Sequence, residues 1–167
     1  MNFFVIIRGP LGCGKTTIAK QLTKTIKAKY FSIDDILEQN KLNNQTAKDG
    51  YISEEAFLAV NKILIPTAEQ WLKKDQPIII DGNFYRKIQI NDLIDKLKYP
   101  HFVFTLTAPL EICIERDNKR KQPYGIDAVK AVYKKTTQFN YGIEIDATMS
   151  KNEIISEILT HISDTAK

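Results

Sequence analysis

The chain has 167 residues, 43% of them hydrophobic, and a net charge of +4, enough apolar material for one sizeable core and a modestly basic balance that permits a phosphate-rich substrate without requiring one. No apolar run approaches the length of a membrane span, and Cys13 and Cys113 are the only cysteines, which argues against a disulfide scaffold and for a reducing compartment. Met1 leads straight into the first apolar run, so no secretion signal is expected, and the expected location is the cytoplasm.

Phe3 to Ile7 suits a strand buried on both faces. Gly9-Pro-Leu-Gly-Cys-Gly-Lys-Thr16 follows and fits Gly, four residues, Gly-Lys-Ser/Thr, the Walker A phosphate-binding loop. A helical pattern then runs from Thr17 through Ile26. In this context Gly9, Gly12 and Gly14 permit the backbone angles that turn successive N–H groups toward a polyphosphate, with the helix dipole behind them. Lys15 is expected at the β- and γ-phosphates, and the Thr16 hydroxyl on Mg²⁺. Cys13 is read as small filler within the loop rather than as a nucleophile.

Lys29 to Ile33 reads as a second strand, closed by Asp34 and Asp35. Adjacent residues point in different directions, so one carboxylate can take a proton from an acceptor hydroxyl while the other caps the next helix; Asp34 is assigned as the base and Asp35 as the cap. Glu38 to Gly50 is polar and read as a mobile loop. Ser53 starts a helix that Pro66 is expected to kink or divide. Pro77 to Ile80 is a buried strand ending at Asp81, placed to hold Mg²⁺ directly or through water. Ile88 to Leu97 is helical, and Phe102 to Leu106 is the next strand. Pro109 is read as the first position of a helix through Glu115. Residues 117–125 are dense in charge, Asp127 is expected to cap a helix to about Gln138, Ile143 to Ile145 is a last strand, and Asn152 to Ile162 a last helix.

This alternation predicts a mostly parallel sheet with helices on both faces, in one domain over 1–167. Ligands then bind beyond the carboxyl ends of the strands, where Arg8, Asp34, Asp35 and Asp81 fall. The only arginines are Arg8, Arg86, Arg116 and Arg120. The last two are four apart, so one helical face can carry both in a lid at about 115–126 that closes over a triphosphate and excludes water. Tyr124 is expected to pack beneath it, the alternative being to stack on a base.

These residues resemble the small phosphate-loop kinases, and most nearly the kinase domain of bacteriophage polynucleotide kinase and the zeta-toxin-like kinases. The likeness lies in Gly9 to Thr17, in Asp34 at the position of that family's catalytic aspartate, and in Arg116-Asp-Asn-Lys-Arg120 as its two-arginine lid. It implies a three-layer α/β/α sandwich on a five-stranded parallel sheet, with ATP and Mg²⁺. Gly9, Gly12, Cys13, Gly14, Lys15, Thr16, Thr17, Arg116 and Arg120 would hold the nucleotide, Thr16 and Asp81 the metal, and adenine would lie near Asp146 to Thr148. Lys15, Asp34, Arg116 and Arg120 would carry transfer to a hydroxyl of a polynucleotide, nucleoside, nucleotide or small metabolite, in a monomer or homodimer. The family's acceptor-phosphate arginine, three residues after the base, is Leu37 here, so the acceptor lacks that phosphate or is held otherwise, as by Arg86. A nucleotide-dependent switch without an acceptor is the alternative. It would usually carry Asn-Lys-x-Asp, which this chain lacks.

Overall fold

The computed structural model describes residues 2–164; Met1, from which the absence of a leader was inferred, lies outside them. Five strands, β1 (Phe4–Arg8), β2 (Lys29–Ser32), β3 (Ile78–Asp81), β4 (His101–Thr107) and β5 (Ile143–Asp146), pair in the order β2-β3-β1-β4-β5. Every pairing is parallel. Among the described residues seven α-helices connect and cover them: α1 (Lys15–Thr25), α2 (Ile33–Gln39), α3 (Glu54–Leu72), α4 (Lys87–Leu97), α5 (Leu110–Asn118), α6 (Ile126–Thr136) and α7 (Lys151–Asp164).

The period of two along the strands divides the core between the two faces of the sheet. Val5, Ile7, Ile79, Phe104, Leu106 and Ile145 face Ile18, Leu22 and Ile158 of α1 and α7. Phe4, Ile6, Ile78, Ile80 and Val103 face Leu37, Leu64 and Leu93 of α2, α3 and α4. Burying each such aliphatic side chain contributes about 1.5–3 kcal/mol. β1 is central, with β3 and β4, reached through α3 and α4 on one face, on its two sides, while α1 leaves β1 on the other face, so the loop after β1 sits at the carboxyl edge of the middle of the sheet.

Several boundaries depart from expectation. Ile33 belongs to α2 rather than to β2, because the Ser32 hydroxyl accepts from the Asp35 amide and caps a helix with Asp34 and Asp35 in its first turn. Asp35 is therefore capped and is not the cap. Pro66 does not divide α3. An interior proline costs about 3 kcal/mol, and Val60, Leu64, Ala68 and Leu72 seat the helix on the sheet on both sides of it. Pro109 stands one place before α5, and the helix runs on to Asn118. Gly125, not Asp127, is the N-cap of α6. The span 38–50 holds the end of α2 and a 3₁₀ turn at Leu42–Asn44, and Thr46 bridges to Ile52 beyond it.

Candidate active site

The loop between β1 and α1 closes around backbone that only glycine provides. At Gly12 (φ 86°) a Cβ would stand 2.3 Å from the Cys113 carbonyl oxygen, so α5 packs directly on the loop. No side chain caps α1, which leaves its first N–H groups open to an anion. Lys15 is buried, and its Nζ donates to the Pro10 carbonyl at 3.0 Å, so the ammonium is stored inside the loop. Cys13 is buried and burial pushes its thiol up, which suits inert filler.

One cavity of about 700 Å³ opens in front of this loop. Its walls include Gly12, Cys13, Gly14, Thr16 and Thr17, both Asp34 and Asp35, and both Arg116 and Arg120. Ala147, Met149 and Ile154 line it too, beside the loop where a purine was expected. Gly9, Lys15 and Asp81 are not among its lining residues. The two aspartates have different neighbours. Asp34 is exposed to the cavity yet flanked closely enough that desolvation raises its carboxyl, with Lys15 and Arg120 opposing and Asp81 and Asp35 adding to the rise. The charge of Asp35 bears on Asp81 and Tyr30 as well as on Asp34.

Asp81 ends β3 fully buried, and burial raises its carboxyl, against which Lys15 and the Thr16 and Tyr30 hydroxyls act. Tyr30 donates to Asp81 Oδ2 at 2.9 Å across the β2–β3 pair. Among the described residues no three His, Cys, Asp or Glu side chains are grouped to hold a metal ion by themselves; Thr16 and Asp81 offer hard oxygen donors of the kind Mg²⁺ takes together with phosphates.

The arginine pair reaches the cavity by a route the sequence did not suggest. Arg116 lies in the last turn of α5 and donates from Nη1 to the Cys13 carbonyl at 3.1 Å. Arg120 lies beyond the helix end, so the two do not share a helical face. Arg120 Nε pairs at 3.4 Å with buried Asp117, whose Oδ2 also accepts from the Gly125 amide at 3.0 Å. Its guanidinium stands 5.3 Å from the Tyr124 ring, and Tyr124 is exposed rather than packed underneath. Sequence reasoning missed Asp117 and Tyr30. Asp117 could have been found as the acid three residues before Arg120; nothing local marks Tyr30.

Arg8 is not a surface group. It is 0% exposed, donating to the Thr136 carbonyl at 2.6 Å and to Thr105 Oγ1 at 3.2 Å, with the Phe139 ring 4.3 Å from its guanidinium; desolvation lowers it to about 10. It is a structural pin beneath the loop. Among the described residues no helix is long and apolar enough to cross a membrane.

Comparison with known proteins agrees with this architecture. A family model described as an AAA domain matches residues 4–140. Deoxyguanosine kinase of Bacillus subtilis (strain 168) is 29% identical over 143 residues, which cover 72% of this chain and 68% of that protein. Adenylate kinase 8 of Rattus norvegicus is 31% identical over 170 residues, 98% of this chain but 33% of that protein, so the chain spans one third of that relative. The solved structure of a sugar kinase from Janibacter sp. HTCC2649 superposes with a TM-score of 0.80 at 16% identity, over 98% of this chain and 95% of that one, a likeness of fold.

Proposed function

The chain belongs to this AAA domain family, and from that premise we propose that it is an ATP- and Mg²⁺-dependent kinase that transfers the γ-phosphoryl group to the hydroxyl of a small acceptor. The observation that carries this reading is the shared cavity, in which the carboxylate of Asp34 faces the same space as the phosphate loop and both lid arginines. The named activities of the relatives, on deoxyguanosine, on adenylate and on sugars, support a nucleotide or small-molecule kinase. The finer likeness to polynucleotide and zeta-toxin-like kinases rests on the position of Asp34 and on the two-arginine lid beside the phosphate loop.

In this reading the loop amides and the N-terminus of α1 cradle the phosphates. Lys15 leaves the Pro10 carbonyl for the β- and γ-phosphates. Thr16 and Asp81 would hold Mg²⁺, which neutralises phosphate charge, and Tyr30 fixes the Asp81 carboxylate. Asp34 accepts the proton of the acceptor hydroxyl as its oxygen bonds to the γ-phosphorus and the bond to ADP breaks; its raised carboxyl value brings it nearer the working pH of a base. Residues 115–126 form the lid of a single domain, its moving part the stretch beyond α5, with Arg116 and Arg120 on the moving charge and Ala147 and Met149 beside the adenine.

Phosphate transfer from γ-labelled ATP, screened across nucleosides, nucleotides, oligonucleotides, sugars and small metabolites, tests the assignment. ATP hydrolysis that no compound diverts would favour the nucleotide-dependent switch instead.

EDTA should stop turnover and Mg²⁺ restore it. Tyr30→Phe should raise the Mg²⁺ concentration needed for half-maximal rate, with a smaller change at saturating metal, and Asp81→Asn should raise it further. A shift in the Mg²⁺ dependence of thermal stabilisation by ADP should accompany both. Activity unaffected by chelation would remove the roles of Thr16, Asp81 and Tyr30 together.

For the lid, Arg116→Ala and Arg120→Ala should each lower kcat more than they weaken ATP binding, since a charge aimed at the migrating group counts most in the transition state. Lys121→Ala, outside the cavity walls, should be mild. Equal small effects from all three would reduce the lid to a solvated surface.

A further inference from the structure

Tyr124 lines the cavity but has no part in the kinase reading above, on which this step rests. Its ring is 64% exposed, the most open of the large apolar side chains among the described residues. Buried Asp117 sets its place. Asp117 Oδ2 accepts from the Gly125 amide at 3.0 Å, and Oδ1 pairs at 3.4 Å with Arg120 Nε. One carboxylate thus draws together the two ends of the loop 120–125, and the Arg120 guanidinium comes to lie 5.3 Å from the centroid of the Tyr124 ring. A cation over an aromatic face is attracted by the ring quadrupole, which orients the ring. The exposed remainder of that ring is left for a second, planar partner.

The partner could be the base of the donor nucleotide or a ring of the acceptor, and the fold favours the first. The loop hangs from α5, whose Cys113 is buried in one core cluster with Ala147 and Ile154. The helix that carries Asp34 is buried through Leu37 on the other face of the sheet, and it follows β2, at the edge opposite β5. Ala147, Met149 and Ile154 share the cavity wall with Tyr124 and give a base an apolar backing. The wall formed by β2 and α2 is polar, with Ser32, Asp34 and Asp35. Its one ring, Tyr30, is already tied to Asp81 at 2.9 Å and has Lys20 Nζ 5.8 Å from its centroid.

We propose that Tyr124 stacks on the base of the donor nucleotide, so that the lid reads two parts of one ligand, its phosphates through Arg120 and its base through Tyr124.

The test compares ATP with inorganic tripolyphosphate, which offers phosphates without base or sugar, in calorimetric titrations of the purified chain with Mg²⁺. Tyr124→Ala should weaken ATP binding about tenfold, the size of one base–aromatic stack, and change tripolyphosphate binding by less than about twofold. Tyr124→Phe should recover the ATP affinity, because the stack uses the ring and not the hydroxyl. Equal losses for the two ligands would make Tyr124 a support of Arg120 or of the lid fold and overturn the proposal. Unchanged ATP affinity beside a raised acceptor KM would also overturn it, by moving the ring to the acceptor. A loss confined to ATP, in a chain that transfers phosphate to no acceptor, would leave the stack in place and overturn the kinase reading instead.

Discussion

Asp34→Asn is expected to abolish phosphoryl transfer while leaving affinity for ATP nearly unchanged. A general base contributes on the order of a hundred- to ten-thousand-fold in rate, and only when an acceptor proton is removed. The substitution keeps size and hydrogen bonding and loses the basic oxygen. Desolvation raises the Asp34 carboxyl, so the wild-type rate should fall as pH drops through a value above the ordinary carboxylate range. The residual activity of the variant should lack that limb.

Stability should move the other way. A carboxyl raised in the folded state holds its proton more tightly there, so its stabilising contribution is present at low pH and is lost as pH rises through the folded value. At neutral pH the ionised Asp34 is a cost, and Asp34→Asn should melt no lower than wild type. Nucleotide titration, an acceptor assay and a melting curve on Asp34→Asn and Asp35→Asn decide the matter. A dead Asp35→Asn beside an active Asp34→Asn would move the base by one position.

Lys15→Ala should cost on the order of a hundred- to a thousand-fold in rate, the loss typical of removing one preorganised donor from developing charge. Nucleotide binding should weaken as well, because this ammonium meets the β- and γ-phosphates in the ground state too. Lys15 is buried, and it opposes the raised values of Asp34 and Asp81. Its loss should raise both carboxyls further and shift the pH limb of any remaining activity upward. A wild-type rate in the variant would remove the central role of the phosphate loop.

The parts of the site legible in the sequence are those whose chemistry is local. Gly9 to Thr16 is one contiguous loop, and Asp81 follows an apolar run that could only be a buried strand. What escaped depends on partners far along the chain. Tyr30 meets Asp81 across 51 residues, and Arg8 meets Thr136 across 128, so neither contact leaves a trace in spacing. The strand ending at Ile33 failed for a nearer reason. Ser32 fits a strand or a helix cap equally well, and the decision came from burying Ile33 and Leu37 one turn apart against the sheet. Arg86 was visible as a cation, but not its ion pairs with Asp49, from a segment that reads as a polar loop, and with Glu54, from the first turn of α3.

The contact between Gly12 and Cys113 has a kinetic consequence. With the carbonyl of α5 pressed on the phosphate loop and Arg116 bonded to Cys13, the base of this helix and the loop form one body. Hinged motion then falls to residues 119–124, held at one end by α5 and tethered through Asp117 to Arg120 and Gly125. A six-residue flap of this kind relaxes over nanoseconds to microseconds, whereas rigid domains swing over microseconds to milliseconds. Nucleotide entry and ADP escape would then be gated by the breaking of one carboxylate staple, and a slow turnover would have to be sought in the chemistry.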